Sequence, residues 1–122
     1  MKHVILVSHG TFAPGLHNAL NMLAGAKKEE LKSTSLQDGM GIDIFENNFT
    51  DLIKDITEKD KIVLLADIIG GSPMTAALNI LTEKGFIKNT AAFGGMNLSM
   101  RLTAVLEDEH DMEALKKAIL SE

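Results

Sequence analysis

Short apolar runs alternating with longer stretches of helical spacing set the plan of this chain. Residues 3–7, "HVILV", and 61–66, "KIVLLA", are short and nearly unbroken in apolar character, as strands covered on both faces are. "LKSTSL" (31–36) reads as a less apolar strand closed by the turn-like "QDGMG", and "NTAAFG" (89–94) as a short fourth strand. Between the first two in sequence, residues 14–24 place Leu16, Ala19, Leu20 and Leu23 along one side of a helix. Pro14 is tolerated in its first turn, and Gly25 is its stop. Residues 44–57 give a second helix with Phe45, Phe49, Leu52, Ile53 and Ile56 inward. Ser72 caps a third, ending near residue 84, with Pro73 in the first turn and Ala76, Ala77, Ile80 and Leu81 facing in. Two further helices are expected at 97–106 and 111–121, the latter N-capped by Asp111.

Strands separated by helical crossovers form a parallel sheet. The expected fold is α/β: a small doubly wound, mainly parallel sheet, strand order 2-1-3-4, with helices on both faces. Right-handed crossovers then put helices 14–24 and 72–84 on opposite faces. A chain of 122 residues with no repeat, linker or low-complexity tract reads as one domain, residues 1–122, able to bury its core without a disulfide or metal.

Composition removes several function classes. There is no Cys, which excludes thiol chemistry and fits a reducing compartment. The first apolar run, Val4 to Val7, is too short for a signal peptide. No stretch reaches the roughly 20 apolar residues of a membrane span, so a soluble, cytoplasmic protein with no membrane insertion is expected. A net charge of −5, dispersed basic residues and the absence of Trp and Tyr argue against nucleic acid. Lys27–Lys28 and Lys116–Lys117 read as solvated helix ends or faces.

The chemistry should lie outside the carboxyl ends of the strands, where strand order reverses. His9 follows the first strand and Asp67 the third. In the order 2-1-3-4 those strands are neighbours, so the two side chains stand together. A carboxylate bonded to one imidazole nitrogen fixes the tautomer, leaves the other nitrogen free to attack an electrophile, and stabilises positive charge on the ring. The Gly70-Gly71-Ser72-Pro73 corner allows close backbone approach and offers helix-start N–H groups to an anion, with the Ser72 hydroxyl in addition. The Gly10–Thr11 turn can contribute similarly. Taken singly, His9 and Asp67 have bland readings as a solvated histidine and a turn carboxylate, and "GGSP" is a good turn-plus-cap signal. Jointly they suggest a phosphohistidine site. His3 reads as an edge or packing residue, His17 as solvated, and His110 as part of a charged loop. No HxxxH or HxH spacing supports a metal, and no cofactor is implied. The seven Met residues read as core filler, though Met74 and Met96 sit near the proposed mouth and could form an apolar rim.

"ILVSHGTFAPGL", "LLADIIGGSPMTAALNIL" and "FGGMNLSMRLTAVL", in this order and spacing, resemble the enzyme IIA components of the mannose-type bacterial sugar phosphotransferase system. The resemblance spans nearly the whole chain, and the D-x-x-G-G-S-P-x-x-A block is its specific part. It implies that His9 accepts a phosphoryl group, through Nε2, from phospho-HPr and passes it to a IIB component during import through membrane IIC and IID components. It also implies that Asp67 holds the other ring nitrogen, that Ser72 lies at the phosphate pocket, and that the protein is a homodimer. Met22 and Leu23 fall loosely where family members meet partners. Ile68, Ile69 and Met74 stand where relatives can carry aromatic residues, which affects the rim and partner choice. The chain stops at Glu122, so a free-standing IIA is expected. The only arginine, Arg101, lies in the helix after "GGMN". Three rivals stand beside this resemblance: a phosphotransfer subunit of a dihydroxyacetone kinase, a family similar in fold and in a histidine after the first strand; a non-covalent phosphometabolite or anion-binding module; and a receiver-like domain phosphorylated on Asp67. The last lacks the acidic cluster at the end of the first strand that Mg²⁺ would need.

Overall fold

A computed structural model describes residues 1–24 and 30–95. The expected helices at 97–106 and 111–121, the Gly25 stop, the Asp111 cap, and Met96, Arg101 and His110 lie outside the described residues, as do both lysine pairs. The described elements run β1 (Lys2–His9), α1 (Phe12–Ala24), β2 (Leu31–Leu36), α2 (Ile42–Leu52), β3 (Lys61–Ala66), α3 (Ser72–Glu83), a 3₁₀ turn (Ile87–Asn89) and β4 (Thr90–Phe93). All strand pairs are parallel and the order is β2-β1-β3-β4, as the sequence led us to expect.

β1 is one of two interior strands and registers with a neighbour on each side: Val7 lies opposite Thr34 of β2 and Ala66 of β3. Period-two alternation divides its apolar residues between two cores. Val4 and Leu6 pack with Ala13 and Leu20 of α1, Leu31, Val63, Leu65 and Phe93. Ile5 and Val7 pack with Phe45 and Phe49 of α2, with Met74, Ala77, Ile80 and Leu81 of α3, and with Ile62 and Leu64. α1 thus lies on one face and α2 and α3 on the other. Phe45 and Phe49 are fully buried, one helical turn apart, with ring centroids 6.3 Å apart. Each such burial contributes about 1.5–3 kcal/mol.

Several boundaries and burials differ from expectation for physical reasons. α1 starts at Phe12, two residues early, because the buried Ser8 hydroxyl accepts the Ala13 N–H at 2.7 Å and the Thr11 carbonyl accepts the Gly15 N–H. α2 ends at Leu52 rather than 57. From there, i→i+3 bonds such as Ile56 N–H to the Ile53 carbonyl tighten the chain while keeping Ile53 and Ile56 in the core. Gly71, not Ser72, is the N-cap of α3. Ser72 is the first helical residue and makes no side-chain capping bond. Leu23 is exposed, since 100° per residue turns it about 60° round the helix from the buried Leu20. Met74 is a core residue rather than part of a rim, in phase with Ala77 and Leu81. The general reading of methionines as core filler fails at Met1 and Met22, which are exposed.

His3 lies in β1, an interior strand, so it is a packing residue and not an edge one; it is buried, with Nε2 3.3 Å from Asp60 Oδ2. His17 is half-buried and its Nδ1 lies 2.6 Å from Ser33 Oγ, so it is not simply solvated.

Candidate functional site

His9 and Asp67 are 58 residues apart in sequence and meet because β1 and β3 are neighbours that end on the same edge of the sheet. Asp67 Oδ2 accepts the His9 backbone N–H at 3.1 Å and lies 3.1 Å from His9 Nδ1. Asp67 Oδ1 accepts the Ile68 N–H at 3.0 Å. An ionised carboxylate only accepts hydrogen bonds, so Nδ1 carries the proton and Nε2 keeps its lone pair. The pair is unequally exposed: the His9 side chain is 43% accessible and that of Asp67 18%. The ring is therefore presented to a visitor while its orienting group is shielded. Three N–H contacts on its two oxygens suit Asp67 to holding the histidine and leave it badly placed as a phosphorylated residue.

The β3–α3 loop folds back over the ring. Gly70 takes φ +74°, a left-handed conformation that a side chain would strain. A Cβ at Gly71 would come 3.1 Å from His9 Cε1, the carbon between the two ring nitrogens, so the start of α3 packs directly against the imidazole. The Gly71 N–H is donated to the Ile68 carbonyl. No group among the described residues accepts the N–H of Ser72, and the Ser72 side chain is exposed. This helix start is an anion-binding position by geometry and dipole.

The turn after β1 is less free than the sequence suggests. Gly10, at φ +59°, donates its N–H to the Leu36 carbonyl at 2.9 Å, so that donor is occupied, while Thr11, just before α1, is exposed. A cavity of about 340 Å³, lined by His9, Gly10, Leu36 and Gln37 to Met40, opens beside the imidazole. Three apolar residues close to the pair in sequence are exposed: Phe12, three residues after His9, and Ile68 and Ile69, directly after Asp67, the last 76% accessible. Met22 on α1 is also exposed. Among the described residues no three or more His, Asp or Glu side chains cluster as a metal site would require.

Two supports were not assigned from sequence. Ser8, next to His9, fixes α1 through the bond to Ala13 N–H; its presence in "SHG" was visible but its partner was not. Gly94 and Gly95 brace the β3–α3 loop from β4. The Gly95 N–H reaches the Asp67 carbonyl at 3.2 Å, and a Cβ at Gly94 would fall 2.9 Å from Ile69 N and 2.0 Å from Ile69 Cγ1. Consecutive glycines after a strand were the available signal.

Comparison with known proteins gives a consistent outcome. The sequence model of the EIIA-man family, described as PTS system fructose IIA component, matches residues 3–120. The PTS system fructose-specific EIIA component of Bacillus subtilis (strain 168) is 30% identical over 110 residues, 90% of this chain and 73% of that protein. A phosphotransferase system component EIIA from Streptococcus agalactiae superposes with a TM-score of 0.82 at 25% identity, covering 99% of this chain and 91% of that one. The mannose/sorbose specific IIA subunit of the phosphotransferase system from Enterococcus faecalis gives 0.82 at 22% identity, covering 99% and 89%, and shares the fold.

Proposed function

Since the chain belongs to the EIIA-man family of sugar phosphotransferase IIA components, we propose that it carries a phosphoryl group on His9 Nε2, from phospho-HPr to a IIB component. Supporting this reading above all is the Asp67–His9 pair, which holds Nδ1–H at 3.1 Å and leaves Nε2 beside the first turn of α3.

In the forward step the Nε2 lone pair attacks phosphorus in line with the donor's phosphorus–nitrogen bond. That bond breaks, and its electron pair leaves on the donor imidazole. The His9 ring gains positive charge as the new bond forms, and the Asp67 carboxylate offsets it. The Ser72 N–H and hydroxyl, with Gly70, Gly71 and Thr11 around them, receive the phosphoryl oxygens; Gly10 shapes the turn, its N–H being donated elsewhere. Phosphoryl transfer asks mainly for positioning and charge neutralisation. A helix start and a hydroxyl hold the group loosely enough to release it, as a relay requires. The same sequence of steps run in reverse delivers the group to a IIB histidine, in a cytoplasmic homodimer that serves membrane IIC and IID components. Among the described residues no helix is long and apolar enough to cross a membrane.

The test is intact mass after incubation with phosphoenolpyruvate, enzyme I and HPr. An acid-labile gain of one phosphoryl group, absent in His9→Ala, is expected. No gain while HPr itself is labelled would overturn the relay and favour a non-covalent anion-binding module.

A further inference from the structure

A second concavity opens beside the site, between α2 and α3, with a volume of about 270 Å³. Its α3 wall carries Ser72, Thr75 and Asn79, spaced three and four residues apart and therefore along one face. Its α2 wall carries Ile42 and Glu46, and Gly70 of the β3–α3 loop also lines it. Glu46 is half-buried, and no described residue forms an ion pair or hydrogen bond with its carboxylate. With no partner from the protein, this carboxylate is left to water at the groove wall and is available to an incoming cation.

The distribution of charge around it is one-sided. Among the described residues, Lys2, Lys32, Lys54, Lys59, Lys61, Lys84 and Lys88 all lie at the starts of strands, at or just after the ends of α2 and α3, or in the loops at that end, away from His9. The His9 end carries Asp38, Asp43, Glu46 and Asp67, and no described lysine. An incoming phosphoryl group is itself anionic. These described carboxylates repel an anionic donor unless it brings its own cation to them, and complementary charge is what steers and registers such encounters.

We infer that the α2–α3 groove receives a lysine or arginine side chain of the phosphoryl-donor protein, with Glu46 as its counter-ion and Ser72, Thr75 and Asn79 as hydrogen-bonding walls. The inference rests on the relay proposed above and adds the determinant by which the donor is chosen. The groove shares Gly70 and Ser72 with the loop and helix start that pack against His9, so an occupant aligns the donor with Nε2. Exposed Ile42, in the groove lining one turn before Glu46, supplies apolar contact beside the ion pair.

The experiment measures the rate of phosphoryl acceptance by the full chain as a function of phospho-HPr concentration, at low and high salt. Glu46→Gln is expected to raise the apparent KM roughly tenfold and Glu46→Lys more, with the maximal rate little changed and the salt dependence reduced. Glu58→Lys, the same charge change at the opposite end, is expected to leave KM near wild type. Equal effects of Glu46→Lys and Glu58→Lys would mean a general charge effect and would overturn the groove. So would an unchanged KM in Glu46→Lys. Wild-type protein that accepts no phosphoryl group would overturn the relay itself, and the donor groove with it.

Discussion

Replacing Asp67 by asparagine keeps shape and removes one acceptor, and its consequence can be worked out atom by atom. Two oxygens now serve three N–H groups: Oδ2 takes His9 N–H and Nδ1–H, and Oδ1 takes Ile68 N–H. Asparagine has one oxygen and one NH₂. With its oxygen toward His9, the NH₂ faces the Ile68 N–H, donor against donor. With its oxygen toward Ile68, the NH₂ faces the His9 N–H and donates to Nδ1, which drives the ring proton to Nε2 and removes the proposed nucleophile. Either way a charge-assisted bond is lost, about 1.5–3 kcal/mol. At a tenfold change in rate per 1.36 kcal/mol, phosphoryl acceptance should slow by roughly ten- to a hundredfold. Folding should suffer less, because His9 is 43% accessible and water can accept from the freed N–H. The assay pairs single-turnover labelling by phospho-HPr with ¹⁵N NMR of the His9 ring. Expected results are slow labelling, a folded spectrum and a tautomer shifted toward Nε2–H. A folded Asp67→Asn protein that is labelled at the wild-type rate would refute the orienting role. Slow labelling with an unchanged tautomer would refute the proton argument in particular.

Gly94→Ala should slow labelling while destabilising the fold by only about 1–3 kcal/mol, because its Cβ must displace the Ile69 backbone and, through it, the Asp67 loop. Adding Ile69→Ala removes the 2.0 Å side-chain clash but not the 2.9 Å backbone one, so partial recovery of the rate is expected; full recovery would place the strain in the side chain alone. Acid should weaken the fold in two windows. Burial holds His3 below its ordinary 6.5 despite the adjacent Asp60. The unfolded chain therefore binds more protons than the folded one just below that pH, and stability falls as pH drops from about 6.5. Burial opposes the charge on Asp60, but the Thr57 N–H, the N-terminal ammonium and His3 outweigh it and hold the group below 3.8, so a second loss begins there. Urea midpoints across pH 7.5 to 5.5 test the upper window: the wild type should decline and His3→Gln should decline less. A flat wild-type profile would refute the linkage.

The pattern of apolar runs was enough to place four strands in parallel order, because in a doubly wound sheet the run length, the crossovers and their handedness leave few alternatives. Once that order was in hand, the meeting of His9 and Asp67 followed from their positions alone: each stands at the carboxyl end of one of two neighbouring strands. What stayed hidden is of a different kind. That Gly10 donates to Leu36, that Ser8 caps α1, and that Gly95 donates to the Asp67 carbonyl are facts about which distant acceptor a backbone or hydroxyl group finds. Local pattern reports the face a residue occupies, not the partner of its N–H. Met74 shows the same limit from the other side. Its nearness to the "GGSP" corner suggested the rim, but helical phase carries it to the Ala77–Leu81 side and into the core. Ile68 and Ile69 lie before the helix, free of that phase, and stay exposed. The exposed apolar surface near His9 thus combines two loop residues, Ile68 and Ile69, whose side chains no sheet or helix period constrains, with Phe12, the first residue of α1. The groove beyond it is built by helix residues whose spacing was legible, yet its function depends on Glu46 lacking a partner, which only the assembled α2–α3 pair displays.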